Sequence, residues 1–179
     1  MNDFSQQIFF APIAHFETIS MDQANRALVE WGHKMGPCHR PMGMMLAHGL
    51  FEAGNLVAVT VASDLVAETC AGFSREKAVE LARLCAIRPD LCRVALRLWR
   101  EFVFPQLCAA KGWEWAVSYQ DEDLHDGNTY RFDGWVVLAT NCRSGTDQRS
   151  GRKGRVKTIW GWHPDKQRRA SVRKAGAVI

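Results

Sequence analysis

The chain has 179 residues, 47% of them hydrophobic and 23% charged, with a formal net charge of +4. That length suits one domain that buries a core without disulfide or metal staples, and the composition is that of a globular protein. No run approaches the roughly 20 apolar residues that span a bilayer, and Met1-Asn-Asp-Phe-Ser5 carries neither a basic nor a long apolar leader, so the expectation is a cytoplasmic protein with no membrane partner.

Six cysteines, Cys38, Cys70, Cys85, Cys92, Cys108 and Cys142, contain no C-x-x-C pair and read as free thiols. Cys38 and His39 lack a second ligand pair, so no metal site is expected. The charge is uneven. Residues 1–142 hold 12 Lys and Arg against 17 Asp and Glu, a net of −5, and residues 143–179 hold 11 against 2, a net of +9. A basic end on an acidic body points to an anionic polymer such as DNA, or to a solvated tail.

In chain order, His15–Ile19 alternates as a first strand. Ser20, with Gln23 three residues on, starts a helix through Ala24, Leu28 and Trp31 that ends near Gly32. Gly36–Gly43, with two Pro and two Gly, is a loop. Met44–Phe51 and Leu56–Ala62 are strands joined by the turn Glu52–Asn55. Asp64–Glu76 is irregular, and Ala78–Ile87 is a central strand. Arg88–Arg93 leads into a long helix, about Val94–Lys111, which Pro105 should kink and Gly112 should end. Trp113–Tyr119 is a strand, His125–Phe132 a short helix and Trp135–Thr140 a strand. Asn141–Gly154 is a hairpin loop, Val156–Trp162 the last strand, and the chain after Pro164 a tail. Strands two to four should run antiparallel, and the crossover from residues 79–87 to 115–119 should be parallel.

The polar groups Ser118, Tyr119, Asp121, His125, Thr129 and Tyr130 cluster after the strand at 113–119. Ligands of open α/β sheets bind beyond such strand ends. Glu80, opposite Val79 and Leu81, is either a base of raised pKa or the ion-pair partner of Arg83. Asp121 and His125 read as a base with its orienting partner, or as helix-start residues alongside Asp123. Ser118 contacts substrate or bonds within the sheet. Tyr130 is either a proton donor or a core residue with its hydroxyl on a carbonyl.

Glu80-Leu-Ala-Arg-Leu-Cys85, a long helix ending in Ala-Lys-Gly-Trp113, then Ser118-Tyr-x-Asp121 and His125-x-Gly-x-Thr-Tyr130-x-x-x-Gly-Trp135 resemble the Mom-type DNA modification branch of the GNAT acyltransferase superfamily. Trp31-Gly-His33 and Arg40-Pro41-x-Gly43 extend the resemblance, which covers roughly 15–162 and is strongest over 79–137. It implies an α/β (α+β) fold with a mixed twisted sheet of about 6–7 strands and flanking helices. It also implies a catalytic domain over 1–163, a basic tail over 164–179, and a cytoplasmic site of action in a phage's bacterial host. The implied activity adds a small, carbamoylmethyl-like group to adenine N6 in DNA and protects it from restriction. The alternatives are a GNAT N-acyltransferase acting on a small amine or protein lysine, and a non-enzymatic nucleic-acid-binding protein on a decayed fold.

The resemblance makes Glu80 or Asp121 the base, with His125 beside it, and Tyr130 the general acid. His33, His39 and Arg40 fall in the loop that lines the acceptor site. Acyl-CoA or acetyl-CoA is the implied small-molecule donor. Its pyrophosphate in such enzymes lies on a glycine-rich loop, but Arg88-Pro-Asp-Leu-Cys-Arg-Val-Ala95 has no glycine, which leaves Arg88 and Arg93 as side-chain ligands. Arg83, Ser118, Tyr119 and Thr129 complete the substrate set. Arg149, Arg152, Lys153, Arg155, Lys157, Arg168 and Arg169 form the DNA grip, with Trp160 and Trp162 available to stack bases.

Overall fold

The structure, a computed structural model, describes residues 13–40, 43–143 and 154–176. Strand β1 (Ala14–Ile19) leads to α1 (Met21–Glu30), whose start is fixed by Ser20 Oγ accepting the Gln23 N–H at 3.1 Å. Strands β2 (Met45–Glu52) and β3 (Asn55–Asp64) form the expected hairpin. The segment after β3, expected to be irregular, holds a two-stranded ribbon of β4 (Thr69–Cys70) and β5 (Phe73–Ser74). The central strand is β6 (Ala78–Ala86).

The long helix differs from the sequence expectation. It begins at Pro89, so Arg88 precedes its first turn, and it runs as α2 (Pro89–Leu98), a π turn (Trp99–Val103) and α3 (Phe104–Lys111). Proline suits a first helical position because its missing N–H would go unused there. The break expected at Pro105 lies just before it. Pro105 donates no hydrogen bond and its ring crowds the carbonyl of Glu101, and the wider π turn accommodates both. Gly112, at φ 72°, closes α3 as a left-handed cap.

Strand β7 (Trp115–Asp121) follows, then α4, which is shorter than expected (Asn128–Phe132). Residues 122–126 turn over the end of β7, where the Leu124 and His125 N–H groups bond to the Asp121 carbonyl. Strands β8 (Val136–Arg143) and β9 (Val156–Trp162) complete the sheet. The stretch expected to be a tail forms a helix, α5 (Lys166–Gly176), and Val172 packs against the core beside Val136 and Ile159. No helix among the described residues is long and apolar enough to cross a membrane.

The seven-stranded sheet has the order β1-β2-β3-β6-β7-β9-β8, and every neighbouring pair is antiparallel except β6–β7. One face packs Val79, Leu81, Ala116, Trp160 and Trp162 against Leu96, Trp99, Phe104 and Leu107. The other packs Val59, Val61 and Ala47 against Ala24, Ala27 and Leu28 of α1. Sequence reasoning missed the ion cluster that locks α2 to the α4–β8 corner. The fully buried Asp133 carboxylate takes Arg100 Nε at 2.6 Å, Arg97 Nε at 3.3 Å and the Trp135 indole N–H at 3.2 Å. Arg100 also lies 5.1 Å from the Trp162 ring centroid. Asp133→Ala strands the guanidinium of Arg100. It should cost about 3–5 kcal/mol in urea unfolding, where an exposed control such as Lys111→Ala changes little.

Candidate active site

Strands β6 and β7 share three rungs, Ala78 with Trp115, Val79 with Ala116 and Glu80 with Val117, and then part. Beyond that point β6 stays on β3 as far as Ala86, and β7 stays on β9 as far as Asp121. The sheet therefore splits at its centre, toward the carboxyl ends of two parallel strands. Beyond it the two strands no longer bond to each other, and on β6 the Leu81 and Ala82 carbonyls accept from Ser118 Oγ and Arg83 Nη1 instead.

At the apex of the split, Ser118 Oγ donates to the Leu81 carbonyl at 2.9 Å and lies 2.9 Å from the Tyr130 hydroxyl. Serine has one hydroxyl hydrogen, and the carbonyl takes it, so the Tyr130 O–H is the donor of the second bond. Burial pushes the Tyr130 phenol up to about 12, against the pull of the Ser118 bond, so it stays protonated at neutral pH. Its ring stacks on Trp160 at 5.6 Å and meets the edge of Trp135 at 5.4 Å. Trp160 donates to Gln120 Oε1 at 2.7 Å, and Gln120 Nε2 donates to the His125 carbonyl at 2.6 Å. This frame sets the approach to α4. Gly127 enters it at φ 76°, and a Cβ there would lie 2.5 Å from Gln120 Oε1 and 2.7 Å from Trp160.

Glu80 stands on the opposite face, toward α1 and the loop of residues 31–40. It accepts from Arg40 Nη2 at 2.7 Å, and Arg40 Nη1 reaches the Asp64 carbonyl at 2.8 Å. Arg40 therefore takes the place that the sequence offered to Arg83. Burial raises the Glu80 pKa, against the opposing charges of Arg40, Arg83 and Lys157. Arg83 shares this face because a bulge at Ala82 breaks the alternation: Leu81 pairs with Ala62, but Arg83 pairs with Val61. Its guanidinium donates to the Gly36 and Ala82 carbonyls. His33 lies in the same loop. Its Nδ1 accepts the Met35 N–H at 3.2 Å, so the neutral ring carries its proton on Nε2. Burial, with Arg83 and His125 nearby, pushes its pKa down to about 4.

The other expected residues spread over both faces. Asp121 lies 3.6 Å from Arg155 Nη1 and accepts the Asp123 N–H, while exposed His125 meets Asp121 through the main chain. The Asp121–His125 base-and-orienter pairing is thus not made between side chains. Tyr119 faces the Glu80 side and donates to Cys70 Sγ at 3.0 Å, and Lys157 Nζ lies 5.7 Å from its ring centroid. Thr129 is half-buried on α4, and His39 is exposed. Arg168 is tied to Glu114 and His163, and Arg169 to the His163 carbonyl and the Trp162 ring, so both fasten α5 to the body. Trp160 and Trp162 are buried in the core and do not offer faces for base stacking. Arg149, Arg152 and Lys153 lie outside the described residues. All six cysteines are free thiols, and no group of three or more His, Cys, Asp or Glu among the described residues could hold a metal ion.

An acyl-CoA, the donor that the resemblance implies, would place its thioester arm along the split and its phosphates at the start of α2. The phosphate end is built differently from a glycine-rich cradle. Pro89 supplies no N–H and Asp90 adds a negative charge at the start of α2. The exposed Arg88, held by Glu52 at 3.3 Å, and exposed Arg93 offer side-chain contacts there.

No family model and no curated protein matches the chain. Solved structures do. A probable GNAT-family acetyltransferase from Chromobacterium violaceum aligns at TM-score 0.57 and 10% identity, covering 89% of this chain and 92% of that one. NAA60 of Arabidopsis thaliana, in complex with a bisubstrate analogue, aligns at 0.60 and 8%, covering 85% and 99%. The putative acetyltransferase yncA of Salmonella typhimurium, with acetyl-CoA, aligns at 0.56 and 14%, covering 87% and 96%. The fold is that of the GNAT acetyltransferases.

Two outcomes follow from this geometry. His33 and the buried His48 both have pKa values lowered to about 4 from 6.5, so the unfolded chain takes protons that the native state refuses. Their contribution to stability is complete above pH 6.5 and is lost as pH falls toward 4. Unfolding free energies from urea titrations at pH 7.5 and 5 should differ by on the order of 1–2 kcal/mol per histidine, and His48→Leu should flatten the slope. Gly127→Ala, strained at positive φ, should cost at least about 1 kcal/mol and shift the Tyr130 ring signals in NMR spectra.

Proposed function

We propose that the protein is an N-acyltransferase that moves an acyl group from a thioester donor to an amine. The observation that carries this reading is the split between β6 and β7 with a protonated tyrosine at its apex and a buried carboxylate on its opposite face. The donor class is an acyl thioester such as acetyl-CoA, which neighbours of this fold bind. It supplies an activated carbonyl whose leaving group is a thiolate. Arg88 and Arg93 would hold its phosphates, and the lips of the split would hold its arm.

Glu80 accepts a proton from the amine on the α1 side. Its raised pKa brings it closer to neutrality than an exposed glutamate, which suits a base. Tyr130 gives its proton to the departing sulfur on the α2 side. Ser118 keeps the phenol aimed, because its own hydrogen is committed to Leu81. Base and acid thus lie on opposite faces of one opening, as an attack from one side and a departure on the other require.

A second reading takes the amine to be adenine N6 in DNA, modified in the manner of the Mom-type proteins. One observation favours it. Arg155 Nη1 lies 3.6 Å from Asp121, and Lys157 pairs with Asp121 in register across β7 and β9. Val156 accepts the Glu122 N–H at 3.0 Å, beside Asp121 at the mouth of the split. Basic groups there would meet a phosphate backbone.

Release of free thiol from acetyl-CoA, measured against a panel of primary amines and oligodeoxynucleotides, tests both. Tyr130→Phe should lower kcat by about 10²-fold or more with little change in donor binding, and Ser118→Ala by about tenfold. Unchanged turnover in Tyr130→Phe would remove the acid from the scheme. Product mass then separates an acylated small amine from a modified deoxyadenosine.

A further inference from the structure

The sheet face under α2 carries a polar rung between two apolar ones. On β2 and β3, Leu46 pairs with Ala62, His48 with Thr60 and Leu50 with Ala58. Side chains paired in this way share a face, with Cβ atoms about 4.5–5.5 Å apart. Leu96 of α2 belongs to the apolar cluster of the first rung and Leu91 to that of the third, so the helix spans the middle one. His48 is 7% exposed and Thr60 0%, and the Phe16 ring stacks on the imidazole at 5.5 Å. Among the described residues, neither His48 Nδ1 nor Thr60 Oγ1 has a hydrogen-bond partner.

A buried polar atom without a partner is costly, and nearly all in native proteins are satisfied by the protein or by ordered water. These two do not bond to each other, so one group lying between them would satisfy both. Three properties define that group. It is small, because α2 and the Phe16 ring close over the rung, while Ala58 and Ala62 leave room on either side of the hydroxyl. It is uncharged, because the flanking rungs are apolar and burial holds the His48 pKa down to about 4, which leaves the ring neutral. It both donates and accepts, because a hydroxyl does either and Nδ1 of a neutral imidazole does one or the other according to its tautomer. Water has all three properties. Thr18, paired with His48 on β1, is exposed, so the same row reaches solvent at the sheet edge.

We infer that the His48–Thr60 rung is a hydration site, in which one internal water bridges His48 Nδ1 and Thr60 Oγ1 beneath α2 and ties β2 to β3. The site is independent of the acyltransferase reading.

The first measurement uses the unaltered chain. A crystal structure that shows ordered solvent should place one water within hydrogen-bonding distance of both atoms, and NMR cross-relaxation should connect a long-lived water to the Thr60 methyl group. The second is a double-mutant cycle of urea unfolding at pH 7.5. Thr60→Val keeps the shape of the side chain and removes the hydroxyl. With the water in place, this substitution takes away one of its anchors, and the unfolding equilibrium constant should rise about tenfold. His48→Leu should act in the same direction. The double variant replaces both anchors by apolar groups, so its effect should be clearly smaller than the product of the two single effects. A dry rung reverses the sign: Thr60→Val then removes an unsatisfied hydroxyl, and the constant falls. That fall, single effects that simply multiply, or a crystal structure with the two atoms bonded directly to each other would overturn the inference. If His48→Leu does not fold, the sign of the Thr60→Val change and the solvent density decide.

Discussion

The hydroxyl of Ser118 is the joint on which this structure turns. It sits where β7 leaves β6 and gives its hydrogen to the Leu81 carbonyl, the first main-chain group that the parting strands would leave bare. A buried carbonyl without a partner costs about 1–3 kcal/mol, so this bond makes the split affordable at its apex. The same oxygen then accepts from Tyr130 and aims the phenol at the opening. One side chain thus ties strand divergence, main-chain satisfaction and placement of the Tyr130 phenol together.

The two faces of the split have different physics. On the α2 side, aromatic packing and the Gln120 bridge hold Tyr130 in a setting that keeps it protonated. On the α1 side, ion pairs and the 31–40 loop hold Glu80 among cations. The bulge at Ala82 adds Arg83 to the Glu80 face without disturbing Leu81 on the other. The carboxylate and the phenol need opposite environments, and a single sheet supplies both because alternate residues see different sides.

Much of the frame was legible in the sequence. Ser20 with Gln23, the Val-rich hairpin, Gly112 after the long helix, and the apolar runs around Glu80 and Val117 are local signals, and the elements follow them. The polar stretch from Ser118 to Tyr130 marked the end of the central strand, and the structure brings Ser118 and Tyr130 together there. What was not legible depends on distance along the chain or on packing. Arg40 and Glu80 are 40 residues apart, and Asp133 meets Arg100 across 33. The bulge that turns Arg83 leaves no compositional mark. The helix after Pro164 reads as a charged tail until Val172, Arg168 and Arg169 find the body. The π turn follows from Pro105 only once the helix on both sides of it is known to continue.

The most direct test of this account is a crystal structure with a non-hydrolysable acetyl-CoA thioether, its sulfur located by anomalous scattering. The account predicts the sulfur between β6 and β7, within hydrogen-bonding reach of the Tyr130 hydroxyl, with the acyl carbon turned toward Glu80. A sulfur found elsewhere, or a donor lying outside the split with the Ser118–Tyr130 pair untouched, would contradict it.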